Sequence, residues 1–225
     1  MHADVGSWQT RPWRAAPLVA IDLEGTGAQD GPDEAILEIA AVPLLGGVPD
    51  TATAYTTLVN PGRHVPAHHW ISPGLTNNLL ATAPQLTIVE PDLADRLNGK
   101  ILVGHNIGVD WRLLHRRCPS VTPAALVDTY KLSRQLTTGT GRSLTVLLHA
   151  LDLTAQVSAA TPGSQPHRAL WDTVGAGLLL GALIGQRWPH EPMLAELLVV
   201  ASCPLEPTAG DVRPSNQASD ELTLF

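Results

Sequence analysis

The sequence predicts an α/β domain in which a mixed five-stranded sheet is flanked by helices. Short apolar, β-prone runs separated by glycine-rich breaks fill the chain up to about residue 60. Beyond that point, segments with helical spacing alternate with short strands. The chain has 225 residues, 44% of them hydrophobic, which is enough for one domain with a sizeable core.

The predicted elements follow one another in that order. Strands are expected at 18–21, 36–45, 51–59, 100–103 and 124–127, and the first three form an antiparallel meander. Helices are expected at 88–97, 109–117, 130–136, 143–151 and 168–186, with Ser143 as an N-cap. In the last helix Gly177, Gly181 and Gly185 are spaced four apart, which predicts a smooth stripe that packs closely on the sheet.

The composition divides the chain into three parts. Residues 1–16 show no periodicity and are predicted to be a loose N-terminal arm, and residues 17–200 form the folded domain. Residues 201–225 are predicted to be a flexible C-terminal tail, since from Pro204 onward the chain is rich in Pro, Gly, Ser, Asn and Asp.

Charge and cysteine content exclude several classes of protein. Cys118 and Cys203 are far apart and form neither a disulfide framework nor a zinc-ligand pattern, which favours a reducing cytoplasm. The N-terminus lacks a signal pattern, and the apolar stretch 173–186 is shorter than the roughly 18 residues of a membrane span, so no membrane partner is expected. The net charge of −7 disfavours a long duplex-binding surface but allows an enzyme that holds a few terminal nucleotides.

The first candidate site is Asp22-Leu23-Glu24-Gly25-Thr26-Gly27, directly after the first strand. Side chains two apart on a strand point the same way, so Asp22 and Glu24 share a face. Two adjacent carboxylates repel unless a cation lies between them, and their oxygens suit Mg²⁺ or Mn²⁺. The alternative is a solvated acidic turn, against which the apolar residues before the pair argue.

Two further sites lie at strand–helix and loop–helix junctions. His105-Asn106-Ile107-Gly108-Val109-Asp110 places Asp110 in the first turn of a helix, where a carboxylate also interacts favourably with the helix dipole. His167-Arg168-Ala169-Leu170-Trp171-Asp172 places an imidazole before a carboxylate, as a general base requires. The alternative for this pair is a surface histidine and an ordinary helix-start aspartate.

Together and in this order, these residues resemble the DEDDh exonucleases, the family of bacterial DNA polymerase III epsilon proofreading subunits, RNase T and oligoribonuclease. The name denotes four acidic residues and a histidine, for which this chain offers Asp22, Glu24, Asp110, His167 and Asp172. The resemblance extends from about Leu18 to Ile184 and includes Leu58-Val59-Asn60-Pro61-Gly62 and Asp128-Thr129.

The resemblance implies an RNase H-like fold and two-metal hydrolysis of phosphodiester bonds, with Mg²⁺ or Mn²⁺ as the cofactor. Asp22 is expected to bridge both ions, with Glu24 and Asp172 completing one site and Asp110 supporting the other. His167 is expected to accept the proton of the metal-bound water, whose pKa the ions lower.

The resemblance also implies a nucleotide pocket. Glu24, with the backbone of Gly25 and Thr26, is expected to hold the terminal 3′-OH, while the glycines keep the turn slim. Asn106 is a further candidate for nucleotide binding, although His105 and Asn106 more readily order the site than act in it. Many relatives carry Ile-His-Gly-Ile-Thr where this chain has Ile71-Ser72-Pro73-Gly74-Leu75-Thr76. Before the third acid, Val109 occupies the position at which relatives usually carry an aromatic residue.

The last five residues, Glu221-Leu222-Thr223-Leu224-Phe225, look like the peptide that binds the bacterial sliding clamp, with Leu222, Leu224 and Phe225 as its anchors. The alternative is an idle terminus. The sequence thus predicts a 3′–5′ exonuclease acting on single-stranded DNA in proofreading or repair, with a clamp or a DNA polymerase as a potential partner. An RNA-trimming exonuclease and a non-catalytic module that binds strand ends or a polymerase are the alternatives.

Overall fold

The computed structural model describes residues 6–136 and 141–206. Within these ranges the strands are β1 (Leu18–Gly25), β2 (Ile36–Leu45), β3 (Val48–Pro49), β4 (Tyr55–Leu58), β5 (Ile101–Gly104), β6 (Ala125–Asp128) and β7 (Ser202–Cys203). The helices are α1 (Gly6–Gln9), α2 (Asn77–Ala81), α3 (Leu86–Leu97), α4 (Gly108–Arg117), α5 (Thr129–Ser133), α6 (Leu144–Ala150), α7 (Thr154–Ala160), α8 (Ala169–Arg187) and α9 (Leu194–Ala201). Short 3-10 helices lie at Trp13–Ala15, Ala28–Asp33 and Thr51–Thr53.

All seven strands join one mixed sheet in the order β3-β2-β1-β5-β6-β7, with β4 also paired to β2. Strands β1, β5 and β6 run parallel, whereas β2 is antiparallel to β1 and to β4. The predicted mixed sheet and its antiparallel meander are therefore confirmed. The two-residue strands β3 and β7 extend the sheet beyond the five strands expected.

The sheet is covered by helices on both faces. Leu18 and Ala20 of β1 lie in a buried cluster with the apolar residues of α8, whereas Val19 and Ile21 belong to the cluster formed with α3 and α4. Because alternate residues of a strand face opposite sides, Asp22 and Glu24 continue the face that α8 covers. The strand thus carries its two carboxylates to the place where α8 begins.

Helix α8 is the central helix of the core. By length and composition alone it could cross a membrane, but 61% of its most apolar window is buried inside the protein. A β-carbon on Gly177 would lie 2.9 Å from the side chains of both Leu44 and Pro49, so close packing at this glycine is confirmed. A β-carbon on Gly181 would have one neighbour, at 4.0 Å, and one on Gly185 would have none within 4 Å. The predicted stripe is therefore wrong at Gly185, which lies beyond the tightly packed part of the helix.

The N-terminal segment is part of the domain, which corrects the prediction of a loose arm for residues 6–16. The Trp13 side chain is fully buried, and the backbone N–H of Trp13 donates to the Pro192 carbonyl at 3.1 Å. The Leu194 N–H donates to the Arg11 carbonyl at 2.8 Å, so the segment is fastened to the start of α9. Burial of a large indole, which the lack of periodicity could not reveal, holds this segment in place.

The described chain also continues past the predicted domain boundary at residue 200. Helix α9 ends at Ala201, and Ser202–Cys203 then pairs with β6 as strand β7. The Trp111 indole N–H donates to the Leu205 carbonyl at 2.6 Å. The predicted clamp-binding residues Leu222, Leu224 and Phe225 lie outside the described residues.

Candidate active site

Three carboxylates converge where β1 meets the start of α8. Ligand oxygens of Asp22, Glu24 and Asp172 all lie within 4.8 Å of one another. Asp22 and Glu24 project from the same face of β1, whereas Asp172 lies in the first turn of α8. The fold therefore assembles residues that are 150 positions apart in the chain into one acidic cluster.

Burial and mutual repulsion make this cluster reluctant to ionise. Burial raises the pKa of Asp22 well above its ordinary value, and the charges of Asp110, Asp172 and Glu24 raise it further. Burial also raises the pKa of Glu24 to about 8, against the opposing effect of a hydrogen bond from Ser72. The pKa of Asp172 rises to about 6, again chiefly because of burial.

Asp110 lies beside this cluster, at the start of α4 on the other face of the sheet. Its Oδ1 accepts a hydrogen bond from the Leu23 N–H at 3.0 Å, which holds the carboxylate against the end of β1. Burial raises the pKa of Asp110 to about 7, and the Leu23 hydrogen bond opposes the rise. All four predicted acidic residues therefore meet at one end of the sheet, with Asp110 outside the tightest group of three.

His167 lies immediately before α8, with an exposed side chain and a positive φ of 64°. A left-handed conformation is uncommon for residues other than glycine. It is found here at the entrance to the helix, and the backbone N–H of His167 donates to the Asp172 carboxylate. The predicted histidine is thus tied through its own backbone to a member of the acidic cluster, and its charge interacts with that carboxylate.

A buried ion pair beside the cluster was not predicted from the sequence. Arg168 donates from Nε and from a terminal guanidinium nitrogen to the two Glu38 oxygens, at 2.8 and 2.7 Å. The Ala169 N–H also donates to Glu38, at 3.3 Å. Glu38 is paired in register with Glu24 on the neighbouring strand. The pair therefore anchors the start of α8 to the sheet, next to His167.

The turn that follows Glu24 differs from its predicted role. Thr26 is buried, its N–H donates to the Ala35 carbonyl at 3.0 Å, and its hydroxyl oxygen accepts from the Ala35 N–H at 3.0 Å. A β-carbon on Gly25 would lie 3.0 Å from the Ala35 carbonyl oxygen and 3.1 Å from the Leu113 side chain. Gly25 therefore keeps the turn slim for packing inside the protein, and Thr26 has its backbone N–H engaged there instead of offering it to a nucleotide.

The loop that departs from the family pattern, residues 71–76, contacts the cluster directly. The buried Ser72 hydroxyl donates to Glu24 Oε2. Sequence reasoning associated this loop with nucleotides but did not connect it to a metal ligand. The sequence shows only that Ser72, a small hydroxyl residue, occupies a position at which many relatives carry histidine. That difference does not reveal that the Ser72 hydroxyl contacts Glu24.

His105 and Asn106 occupy the turn between β5 and α4. The two ring nitrogens of His105 bind the Thr129 hydroxyl at 2.9 Å and the Arg142 carbonyl at 2.8 Å. Burial lowers the pKa of His105, and the two hydrogen bonds of its ring hold the turn. The Asn106 N–H donates to Asp128 at 2.8 Å, whereas its exposed side chain forms no hydrogen bond with the described part of the chain.

The donor set fits a divalent metal ion. Asp22, Glu24 and Asp172 offer only carboxylate oxygens, which are the ligands that Mg²⁺ and Mn²⁺ prefer. Burial is the chief cause of their raised pKa values, so their ionised forms are unfavourable without a nearby cation. A bound cation would favour the ionised forms, and Asp110 lies close enough to Asp22 to interact electrostatically with that carboxylate.

Comparison with known proteins identifies the domain. The family model described as RNase T, exonuclease, matches residues 19–177. The chain belongs to the RNase T exonuclease family. With its acidic cluster and histidine, it is a metal-dependent 3′–5′ exonuclease domain of the DEDDh type, which confirms the predicted family and fold.

One curated relative and two solved structures illustrate the likeness. A DNA polymerase III subunit epsilon-like protein of Rhodobacter capsulatus is 33% identical over 161 residues, which cover 70% of this chain and 22% of that protein. The chain thus matches only about a fifth of that relative's length. The structure of exonuclease X in complex with 5′ overhanging duplex DNA is 27% identical, with a TM-score of 0.62, over 80% of this chain and 98% of that one. The nuclease domain of 3′hExo, a DEDDh family member bound to rAMP, shares the fold at 16% identity and a TM-score of 0.54, over 76% of this chain and 92% of that one.

Proposed function

We propose that this protein removes nucleotides one at a time from the 3′ end of single-stranded DNA, in proofreading or repair. The observation that carries the proposal is the cluster of Asp22, Glu24 and Asp172, whose oxygens lie within 4.8 Å of one another beside an exposed histidine. Such a cluster suits phosphodiester hydrolysis, in which negative charge develops on the phosphate oxygens.

The four acidic residues would hold two divalent ions. Asp22, at the centre of the cluster, would be shared, with Glu24 and Asp172 completing one site and Asp110 supporting the other. When bound, such ions lower the pKa of water and stabilise the attacking and leaving oxygens of the displacement. Ser72 would keep Glu24 in position, because its hydroxyl already donates to that carboxylate.

His167 would act as the general base that accepts the proton of the attacking water. Its side chain is exposed, and its backbone N–H donates to Asp172, so the ring stands at the edge of the acidic cluster. An imidazole is suited to this role because its ordinary pKa lies near neutral pH. Arg168, held by Glu38, would keep His167 at the start of α8.

The proposal favours DNA over RNA as the substrate. The Rhodobacter relative is described as similar to the epsilon subunit of a DNA polymerase, and exonuclease X was solved with DNA. RNA trimming is the alternative within the same family, and a non-catalytic module is the alternative outside it. We place the terminal 3′-OH at the Glu24 carboxylate.

In the test, the purified protein and its Asp22→Asn variant are each given matched 5′-labelled single strands of DNA and RNA with Mn²⁺. Stepwise shortening of DNA that is faster than that of RNA and abolished in Asp22→Asn supports the proposal. Faster shortening of RNA would replace it with RNA turnover. A circular single strand serves as the control, since an exonuclease cannot begin on it. Mn²⁺ binding is measured by calorimetry, and weak binding would identify a non-catalytic module.

We further propose that the C-terminal residues Leu222, Leu224 and Phe225 bind a sliding clamp, and that a DNA polymerase is a partner. The sequence pattern supports clamp binding, and the epsilon-like relative supports a polymerase partner. Leu224→Ala with Phe225→Ala should abolish binding to a purified bacterial clamp in a surface-bound assay, while nuclease activity on free single strands stays unchanged. Unaltered clamp affinity would refute the proposal.

A further inference from the structure

Three rings lie together on the loop between β4 and α2. The His68 and Trp70 rings are stacked, with centroids 4.2 Å apart and planes 13° apart. His69 contacts Trp70 edge-on, at 4.8 Å and 82°. Both histidines are exposed and Trp70 is partly exposed, so the stack presents ring surface to solvent.

This ring stack is fastened to the active site. The Trp70 indole N–H donates to the Thr26 carbonyl at 3.0 Å, two residues after Glu24. Two residues after Trp70, Ser72 donates to the Glu24 carboxylate. A β-carbon on Gly27 would lie 3.0 Å from Trp70 Nε1, so the turn after β1 and the indole are in close contact. The orientation of the ring stack relative to the acidic cluster is therefore fixed by two hydrogen bonds.

The stack is neither a core element nor a metal site. Trp70 is not among the residues of the hydrophobic clusters in the described part of the chain. The groups of metal-ligating side chains in the same ranges comprise Asp22, Glu24 and Asp172 alone, so the histidines do not combine into a second site. An exposed pair of parallel rings beside a nuclease centre is instead suited to stacking with a nucleobase.

The charges around the loop also favour binding through rings. Arg63, on the same loop, donates to Asp30 at 2.6 Å, and Arg168 is held by Glu38. These guanidinium groups already balance carboxylates of the protein, which limits their attraction for phosphate. Stacking needs no such charge, and it accepts every base because each has an aromatic face.

We propose that His68 and Trp70 form a platform on which a base near the 3′ end of the substrate strand stacks. This inference rests on the proposed function and adds to it the group that grips the strand. The platform would bind substrate without acting on the phosphate, so its loss should raise KM and leave kcat nearly unchanged.

The experiment pairs a change in the protein with a change in the strand. Affinity of a 5′-fluorescein-labelled octathymidylate is measured by anisotropy in Ca²⁺, with a gel to verify that the strand stays intact. The same strand is prepared with one abasic site at each of the last three positions in turn. Trp70→Leu and His68→Ala should each weaken binding of the intact strand on the order of 10-fold. The loss should shrink to about 2-fold or less for the abasic position that removes the stacked base.

Two matched variants control for the loss of a ring elsewhere. Trp188 is partly exposed after α8, and His149 is exposed at the end of α6. Trp188→Leu and His149→Ala should leave affinity within about 2-fold of the unaltered protein. Circular dichroism shows whether Trp70→Leu folds, and His68→Ala leaves the Trp70–Thr26 hydrogen bond in place.

An equal loss for intact strands and for every abasic strand would overturn the platform, because Trp70 would then act only by holding the Thr26 turn. Unchanged affinity in His68→Ala and Trp70→Leu would also overturn it. Failure of the unaltered protein to shorten DNA would instead count against the proposed substrate. The same cycle is then run with the RNA strand that it shortens, since stacking does not depend on the sugar.

Discussion

Arg168→Gln should destabilise the protein strongly, because it leaves the Glu38 carboxylate buried without its countercharge. Glu38 is 8% exposed and accepts two hydrogen bonds from Arg168, at 2.8 and 2.7 Å. Removing one partner of a buried ion pair costs about 3–5 kcal/mol. Because the Arg168 side chain is 25% exposed, water moderates that cost, and we expect a loss of about 2–4 kcal/mol in the free energy of unfolding.

The measurement is urea unfolding at pH 7 in EDTA, which removes any effect of bound metal. Arg14→Gln is the matched control, because Arg14 and Glu191 form a pair of 3.4 Å whose side chains are 51% and 40% exposed. Its loss should stay below about 1 kcal/mol. Arg168→Lys should fall between the two arginine-to-glutamine variants, since a single ammonium group cannot reproduce the two-pronged contact.

The reasoning is tested by adding Glu38→Gln to Arg168→Gln. If the cost comes from an unbalanced carboxylate, neutralising Glu38 should restore at least half of the lost free energy, and the two changes should be strongly non-additive. A double variant as unstable as the sum of the two single variants would refute the electrostatic explanation and indicate lost packing instead.

Three other predictions concern the metal, the central helix and the N-terminal segment. Carboxylates must lose their protons to bind metal, and the pKa values of Glu24 and Asp172 are raised to about 8 and about 6. The affinity for Mn²⁺ should therefore rise about 10-fold or more from pH 6.5 to pH 8. A Mn²⁺ affinity that calorimetry finds unchanged over this pH range would contradict these pKa shifts. Gly177→Ala should cost about 1–3 kcal/mol by overpacking against two side chains 2.9 Å away, whereas Gly185→Ala should stabilise α8 by up to about 1 kcal/mol; urea unfolding of the pair should give opposite signs. Trp13→Ala should lower the free energy of unfolding by about 3–5 kcal/mol, because the side chain is fully buried, and a change below 1 kcal/mol would restore the view of a loose arm.

Hydrophobic patterning predicted much of the fold because local and tertiary preferences agree in these segments. Strand β2 was expected at 36–45 and spans Ile36–Leu45. Ser143 was expected to cap α6, and its hydroxyl accepts the Val146 N–H at 3.4 Å. Strand β1 runs further than expected, through the two carboxylates to Gly25, because its partner β2 continues to pair with it.

Elements that depend on distant contacts were missed. Helix α9 follows proline-rich residues and is apolar almost throughout, so its periodicity is weak, and Val199 is exposed while Leu194 and Leu197 are buried. Helix α7 lies in a segment for which no helix was expected, and the burial of Val157 holds it. In both helices the deciding contact comes from the packed core and is absent from the local sequence.

In the candidate site, residues that belong to a short motif were predicted from the sequence, whereas residues that only the fold brings there were missed. The five family residues were identifiable because each belongs to a short motif. Glu38 belongs to none, yet a glutamate inside the apolar strand Ile36–Leu45 should carry a partner, since a buried charge without one is strongly unfavourable. Arg168 satisfies that requirement by balancing Glu38, whereas Asp22, Glu24 and Asp172 have raised pKa values. The fold thus gives Glu38 its own countercharge, although Glu38 still helps to raise the pKa of the other three acids, whose negative charge is left for a metal ion.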